Sequence, residues 1–485
     1  MKKQKKLLVL ALAALLMLPA VRVEAAEQVP YDTYYYDYWG NLVYTPAPYV
    51  PDGSISGVDI GAGAFSSPQD FFLIDGILYV ADTGNNRIVI LTVDGELLNI
   101  IDSFESEAGT ETFREPRGIC VTSDGRMYIA DTGNGRVVQL SPDGELLQIV
   151  ENPQSDVLPE NFVFSPVKVS VDYANRIYVI AENMYQGILS FMEDGEFTGF
   201  TGTINVTLTP TEIFWLKFST KEQRSRQKLY IATEFTGMDV DEEGFLYATN
   251  VDTEGLQSVR LLNPKGQDVI VKKDSVPLSG DLDWRLTGDY SGPSRIVDVV
   301  ERGHGIYSIL DYTRGRIFTY DSEGNLLYIF GGLGTQEGTF RSPTAIEADD
   351  ERILVLDAGR GEILEFTETK YGGLINEAVG LRYDGDETKA VECWHEVLKY
   401  NSDFELAYVG IGKAYLADGD NVKAMEYLRL GMDKDYYSIA YKRWRNEILS
   451  ENLPWILTTG VVVVAVLVTG SIVKNRRRRK GGVRG

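Results

Sequence analysis

The chain has 485 residues, enough for more than one domain. It carries 47 basic and 71 acidic residues, for a formal net charge of −24. Five of the basic residues and one acidic residue lie in the first 26 positions, and seven basic residues lie in the last 12. The part between them therefore has 35 basic against 70 acidic residues, a net charge of −35. A field of that sign disfavours nucleic acid and anionic lipid head groups as ligands.

The first 26 residues have the pattern of a secretory signal. Four lysines within the first six residues precede an apolar run from Leu7 to Ala20, and small residues around Ala25 suit cleavage. We therefore expect a signal peptide over residues 1–26. The alternative is a retained N-terminal anchor, for which this apolar run is short.

A repeat with a period near 50 residues occupies most of the chain after this segment. The segment LYVADTGNNRI, which begins at Leu78, recurs as MYIADTGNGRV from Met127, an offset of 49. Four weaker copies come after these two, and most units contain an Asp-Gly or Glu-Gly turn of the kind that joins antiparallel strands. Four short strands form a sheet that buries both faces only by packing against its neighbours around an axis.

These residues resemble the NHL repeat, whose core reads Tyr-Val-Ala-Asp-Thr-Gly-Asn-Asn-Arg-Ile. The resemblance covers residues 33–367 and implies a mainly β fold, a six-bladed NHL-type β-propeller. Residues 37–44 also match residues 321–328, the last strand of the fifth unit. Because the sixth unit lacks such a strand, we expect the N-terminal segment to supply it and to close the ring.

Residues 370–450 change to a period of 34, since the Gly-Asp pair at position 385 recurs at position 419 with an alanine four residues later. The spacing of small and large residues resembles tetratricopeptide repeats and implies a small all-α, TPR-like helical-repeat domain. Such repeats usually bind proteins or peptides, and a rigid stalk is the alternative.

Residues 455–473 contain no charge, and 19 helical residues span about 28 Å, close to the thickness of a bilayer core. The basic run from Lys474 to Lys480 comes directly afterwards, and basic residues beside a span remain in the cytoplasm. The sequence thus predicts a single-pass protein of the cytoplasmic membrane. Its N-terminal bulk would lie outside, and the basic tail of residues 474–485 would lie inside.

Two groups of residues are candidates for binding. A helical insertion in blade four, residues 209–229, combines aromatic and basic side chains and could contact a partner; the alternative is a hairpin packed on the blade. At the mouth of the propeller axis we expect polar residues that could hold an anionic or hydroxyl-rich ligand; the alternative is that its cations pair with nearby carboxylates. The insertion candidates are Phe214, Trp215, Lys217, Lys221 and Arg224, and the mouth candidates are Gln69, Arg117, Lys168, Arg295 and Thr344.

The chemistry of an active site is harder to find in the sequence. Only two histidines and two cysteines are present, so a zinc site or a His-dependent triad is difficult to assemble. We expect Cys120 and Cys393 to be buried free thiols, and we expect no metal and no cofactor. The sequence favours a non-enzymatic, membrane-anchored protein that binds protein, peptide or glycan partners outside the membrane. The alternatives are an exported propeller enzyme, a lyase or a hydrolase, and an accessory subunit of a membrane transport or secretion complex.

Overall fold

The structure, a computed structural model, describes residues 29–158, 162–203, 234–252, 257–272, 280–281 and 292–481. The predicted signal peptide (1–26) and the predicted insertion (209–229) lie outside these ranges, so both stay predictions.

Six antiparallel sheets succeed one another along the chain, and their first strands contact each other around a complete ring. The predicted six-bladed, mainly β propeller is confirmed. Each first strand is therefore innermost and lines the axis, and the later strands lie further out. Blade one consists of Asp70–Ile74, Ile77–Asp82, Arg87–Thr92 and Leu97–Ile101. Blade two consists of Pro116–Val121, Met127–Asp131, Arg136–Leu140 and Leu146–Val150. Blade three consists of Pro166–Val171, Ile177–Ala181, Ile188–Phe191 and Phe197–Thr201.

Blades four to six differ in their outer strands. Three strands of blade four fall within the described residues, and blade five carries a two-stranded hairpin, Tyr34–Tyr36 and Leu42–Tyr44, on its outer edge. A small separate hairpin, Ser103–Ser106 and Gly109–Thr112, connects blades one and two. The described strands of blade four are Phe235–Val240, Leu246–Asn250 and Val259–Leu262. Blade five contains Ile296–Glu301, Tyr307–Asp311, Arg316–Tyr320 and Leu326–Phe330. Blade six contains Pro343–Ala348, Arg352–Asp357, Glu362–Glu368 and Tyr49–Ser56.

The ring is closed by the N-terminal segment, but the strand that closes it differs from the expected one. Tyr49–Ser56 pairs with Glu362–Glu368 and supplies the fourth strand of blade six. Residues 37–44 instead belong to the hairpin on blade five. The match between residues 37–44 and 321–328 reflects a shared turn, because Asp37 and Asp321 each accept backbone N–H bonds from the residues two and four positions later.

The recurrent Asp-Thr-Gly turn is a packing device. In blade one, the buried Asp82 accepts hydrogen bonds from the Ser66 amide at 2.7 Å and from Arg87 Nε at 2.7 Å. The hydroxyl of Thr83 donates to the carbonyl of Pro116 in the next blade, at 2.7 Å. The same contacts recur in blade two, so this turn both orders its own loop and joins neighbouring blades.

Five helices come after the last propeller strand among the described residues. They are α1 Lys370–Tyr383, α2 Glu387–Tyr400, α3 Glu405–Ala417, α4 Asn421–Leu430 and α5 Lys434–Gly481. Side-chain caps begin three of them, since Thr369, Asp386 and Asp420 each accept a backbone N–H from the residue three positions on. α5 is the one helix of the described chain that is long and apolar enough to cross a membrane.

The helices pack against the propeller rather than standing apart from it. Side chains of α1, α2 and the α2–α3 loop share one hydrophobic core with blades five and six and with the closing strand. Tyr35 donates to the carbonyl of Asp403 at 2.6 Å, and Arg382 pairs with Glu323 at 2.7 Å. The helices therefore cover the side of the ring at which the innermost strands end, under blades five and six.

Candidate functional site

Each innermost strand places one residue at the same level of the axial channel. In blade order these are Asp70, Gly118, Lys168, Gly237, Asp298 and Ala345. Each of them pairs with the equivalent position of the second strand in its own sheet. Charged side chains on blades one, three and five thus alternate with Gly or Ala on blades two, four and six. The alternation leaves room for the three charged side chains to meet on the axis.

The small residues at this level are required by the approach of their neighbours. A Cβ atom on Gly118 would lie 2.9 Å from the Cα of Lys168, and one on Gly237 would lie 2.6 Å from the Cα of Asp298. Both distances are far below van der Waals contact and involve backbone, which cannot move aside cheaply. Glycine at these positions therefore lets the neighbouring strands, which carry Lys168 and Asp298, approach closely.

Lys168 is held between two buried carboxylates. Its Nζ lies 2.5 Å from Asp70 Oδ1 and 3.1 Å from Asp298 Oδ2. Each carboxylate also accepts a backbone N–H, from Ile119 at 3.0 Å and from Ile346 at 3.1 Å respectively. The ammonium thus bridges blades one, three and five across the axis.

The charges in this cluster alter one another's protonation. Burial raises the pKa of Asp70 to about 6, although the Lys168 ammonium opposes the rise. Burial also raises the pKa of Asp298. Burial acts to lower the pKa of Lys168, but the two carboxylates outweigh it, so this pKa lies above its usual value. Lys168 is therefore charged at neutral pH, whereas Asp70 titrates close to neutrality.

Two further carboxyl groups lie one level deeper in the channel. Burial raises the pKa of Asp239 to about 6, while backbone N–H groups of Glu301 and Val240 stabilise its ionised form. Burial, reinforced by the charges of Asp239 and Asp298, raises the pKa of Glu347 well above its usual value. Both carboxyl groups therefore hold a proton to higher pH than ordinary carboxyl groups do.

These side chains surround a small cavity. Its walls include Asp70, Lys168, Asp239, Asp298 and Glu347, and its volume is about 10 Å³. That is room for about one water molecule. The arrangement combines an acid, a base and a fixed positive charge around one potential water position, which is a set of groups able to transfer protons.

The residues predicted at the mouth are spread among other contacts. Lys168 lies deeper, in the cluster described above, and Arg117 pairs with Glu182 at 2.5 Å. The Arg295 guanidinium lies over the ring of Tyr312, 5.5 Å from its centroid. Gln69 donates to the Ser67 carbonyl at 3.3 Å, and Thr344 donates to the Leu356 carbonyl at 3.2 Å. Whether any of them binds a ligand stays a prediction.

The other predicted partner-binding residues, Phe214, Trp215, Lys217, Lys221 and Arg224, lie outside the described residues. Both cysteines are buried and free, as expected. Among the described residues, no group of three or more His, Cys, Asp or Glu side chains is placed to hold a metal ion. In the channel, the Lys168 ammonium stands at the centre of the acidic groups, where a cation would have to bind.

The acidic channel residues Asp70, Asp239, Asp298 and Glu347 were missed by reasoning from the sequence. A usable signal was present, because each of them occupies the third or fifth position of its innermost strand when the repeats are aligned. Asp and Glu are unusual at positions of a strand that face a closed core. Charged residues recurring at such positions on different blades would have predicted a cluster on the axis.

Part of the chain matches a known family. Residues 75–168 match the model described as SMP-30/Gluconolactonase/LRE-like region. No curated protein matched the chain.

Solved propellers are also similar in outline. Virginiamycin B lyase from Staphylococcus aureus is 13% identical, covering 63% of this chain and 97% of the lyase, with a TM-score of 0.40. A streptogramin B lyase is 13% identical over 63% of this chain and 94% of its own, with a TM-score of 0.37. A protein provisionally described as a gluconolactonase is 12% identical, covering 66% of this chain and 94% of its own, with a TM-score of 0.40.

The family match corrects the expectation that this protein is not an enzyme. The matched family is named for a gluconolactonase, and the match supports the enzymatic alternative rather than a scaffold. The expectation was wrong because it required histidines or a carboxylate pair adjacent in sequence. In the folded ring, carboxyl groups from blades one, four, five and six meet without any local motif. The resemblances to NHL and tetratricopeptide repeats stay interpretations of the sequence.

Proposed function

We propose that this protein is a membrane-anchored hydrolase that acts on a small polar ester or lactone at the axis of its propeller. The observation that carries the proposal is the convergence of four carboxyl groups and one ammonium around a cavity for about one water. The partial match to a gluconolactonase-named family supports the same reaction class.

The roles follow from the protonation states of the channel groups. Asp239, with a pKa of about 6, is the base that takes a proton from water as the oxygen attacks the acyl carbon. Glu347, whose pKa is raised well above its usual value by burial, is the acid that gives its proton to the leaving oxygen when the C–O bond breaks. Lys168 stays charged and offsets the negative charge that develops on the acyl oxygen. The ester has to enter beside this water, so these steps require the channel to widen from the cavity of about 10 Å³.

The test uses the full-length protein in detergent micelles with D-glucono-δ-lactone and 4-nitrophenyl acetate, followed by pH-stat. We expect turnover above the buffer rate, with a rising limb near pH 6 from Asp239. Glu347→Gln should lower kcat about 100-fold or more, the usual effect of losing a general acid. Asp143→Asn, in an exposed turn of blade two, is the matched control and should change nothing.

Three outcomes would oppose the proposal. Absence of turnover by the wild-type protein on both substrates would remove the hydrolase assignment for this class of ester. Equal activity of wild type and Glu347→Gln would place the chemistry elsewhere in the chain. Products that retain the mass of the substrate, with no water added, would favour the lyase alternative.

The place of action is the second part of the proposal. α5 would cross the cytoplasmic membrane, with the propeller outside and the basic tail inside, because the run of basic residues after position 473 favours the cytoplasm. Proteinase K added to intact spheroplasts should digest the propeller and leave a small C-terminal fragment. Complete protection of the propeller until the membrane is permeabilised would reverse the orientation.

A further inference from the structure

A second cavity lies on the outer edge of blade five, away from the axis. Its volume is about 570 Å³, within the range of roughly 300–1,000 Å³ typical of small-molecule sites. The hairpin Tyr34–Tyr36 and Leu42–Tyr44 forms one wall, and the turn that carries Arg314 and Arg316 forms another.

The polar groups of this cavity are organised around one carboxylate. Asp281 accepts hydrogen bonds from the phenol of Tyr34, at 2.8 Å, and from the phenol of Tyr36. Arg314 Nε lies 3.7 Å from the same carboxylate, and Arg316 Nη1 lies 3.5 Å from it. The two tyrosines therefore satisfy Asp281 through hydrogen bonds, whereas the Arg316 contact is longer than a hydrogen bond.

Arg316 is the group that this arrangement leaves incompletely satisfied. Its guanidinium lies over the ring of Tyr34, 4.5 Å from the centroid, and its side chain is 22% exposed. A guanidinium has five N–H donors, and within the described part of the chain none of those of Arg316 makes a hydrogen bond. Burial lowers its pKa to about 10, although Asp32 acts in the opposite direction.

We infer that this cavity binds a carboxylated sugar, with the sugar carboxylate on Arg316 and the ring against the neighbouring tyrosines. A carboxylate accepts two parallel N–H bonds from a guanidinium, so it supplies the acceptors that Arg316 lacks. Tyr31 and Tyr36 line the same cavity, and aromatic side chains are amphipathic groups suited to packing on the C–H face of a sugar ring. The site is separate from the axial channel and does not depend on the proposed hydrolase activity.

The net charge of the whole protein limits which groups can bind an anion. A molecule with such an acidic exported part repels anions in general, so an anionic ligand needs local cations to bind. Arg314 and Arg316 provide two at this cavity, and Asp281 and Asp32 are the carboxylates in its wall. The two phenol donors offset the charge of Asp281 in part. Selection for a sugar ring then comes from the tyrosines rather than from charge.

The test is calorimetric titration of the full-length protein in detergent micelles with sodium D-glucuronate, with D-glucose and inorganic phosphate as comparison probes. We expect saturable binding of glucuronate and at least about tenfold weaker binding of the other two, because a bidentate charged contact and ring stacking both contribute. Arg316→Gln should weaken glucuronate binding about tenfold or more. Arg352→Gln, which removes a surface ion pair with Asp349 in blade six, is the control and should leave binding unchanged.

A second variant guards against misfolding of Arg316→Gln. Leu42 lines the cavity and is 44% exposed, so Leu42→Glu should fold and should weaken glucuronate binding by placing a negative charge at the rim. Absence of glucuronate binding by the wild-type protein would overturn the inference, as would equal affinity of wild type and Leu42→Glu. Phosphate binding as tight as glucuronate binding would refute the role of the sugar ring.

Discussion

Replacing Lys168 by Met tests whether the axial ion cluster stabilises the propeller. The substitution keeps the length of the side chain but removes the ammonium that bridges Asp70 and Asp298. Two buried carboxyl groups then lose the cation that pairs with both of them, and breaking a buried ion pair on one side costs about 3–5 kcal/mol. We expect the free energy of unfolding to fall by that amount at pH 8, measured by urea denaturation followed by circular dichroism.

The dependence of this loss on pH gives a sharper measurement. Asp70 has a pKa of about 6 in the folded protein against 3.8 for the ordinary group, so the folded state binds more protons between these values. Stability from this carboxyl therefore rises as the pH falls from about 7 towards 4. Without Lys168 the folded pKa rises further, so the variant should recover much of its loss at pH 5.

Two controls separate this effect from general damage. Lys389→Met removes an exposed lysine paired with Asp386 and should leave the free energy of unfolding nearly unchanged. The triple variant Lys168→Met, Asp70→Asn and Asp298→Asn removes the uncompensated charges and should regain stability at pH 8. A loss below about 1 kcal/mol at pH 8, or a loss that grows on acidification, would refute the reasoning.

Three further predictions concern the core. Burial raises the pKa of Cys120 to about 12 and that of Cys393 to about 11, so neither thiol should react with Ellman's reagent at pH 8 until the protein is unfolded by urea. Tyr49→Ala should destabilise the closed ring by about 3–5 kcal/mol, measured by urea denaturation, because the fully buried ring stacks on Phe330 at 5.0 Å. Gly410→Ala should lower the melting temperature of the helical region, because the new methyl group would collide with the indole of Trp394.

The sequence predicted the propeller because the information for each blade is local. The apolar alternation of one strand, the Asp-Thr-Gly turn and the Asp-Gly hairpin all lie within about 50 residues, and each recurs. Local patterns of this kind fix strand boundaries and turn types without knowledge of the rest of the chain. The buried contacts of Asp82 and Thr83 show that the repeated turn also carries the packing between neighbouring blades.

The axial site escaped prediction because its parts come from strands far apart in the chain. Asp70 and Asp298 belong to blades one and five, and only closure of the ring brings both to Lys168. Nothing in the neighbouring residues of either aspartate marks it as one of a pair. The cavity at Arg316 has the same origin, since its walls come from the N-terminal hairpin and from blade five.

The position of the closing strand shows that a genuine local similarity can still predict the wrong strand pairing. The similarity of residues 37–44 to 321–328 predicted a closing strand, but it reflects a turn that Asp37 and Asp321 share. A turn, however, does not determine which sheet edge its strands join. Tyr49–Ser56 joins blade six through six paired positions, and Tyr49 enters the core shared with the helices.

The N-terminal segment therefore connects three parts of the molecule. Tyr49–Ser56 closes the ring, while the hairpin before it contacts the helices through Tyr35 and through the amide of Tyr38, which donates to Glu405 at 2.8 Å. Lys434, the first residue of α5, donates to the phenol of Tyr38 at 2.6 Å. Loosening the hairpin should thus disturb ring closure and the base of α5 together. These contacts join the start of α5 to the propeller, in place of the separate rigid stalk that was the alternative for residues 370–450.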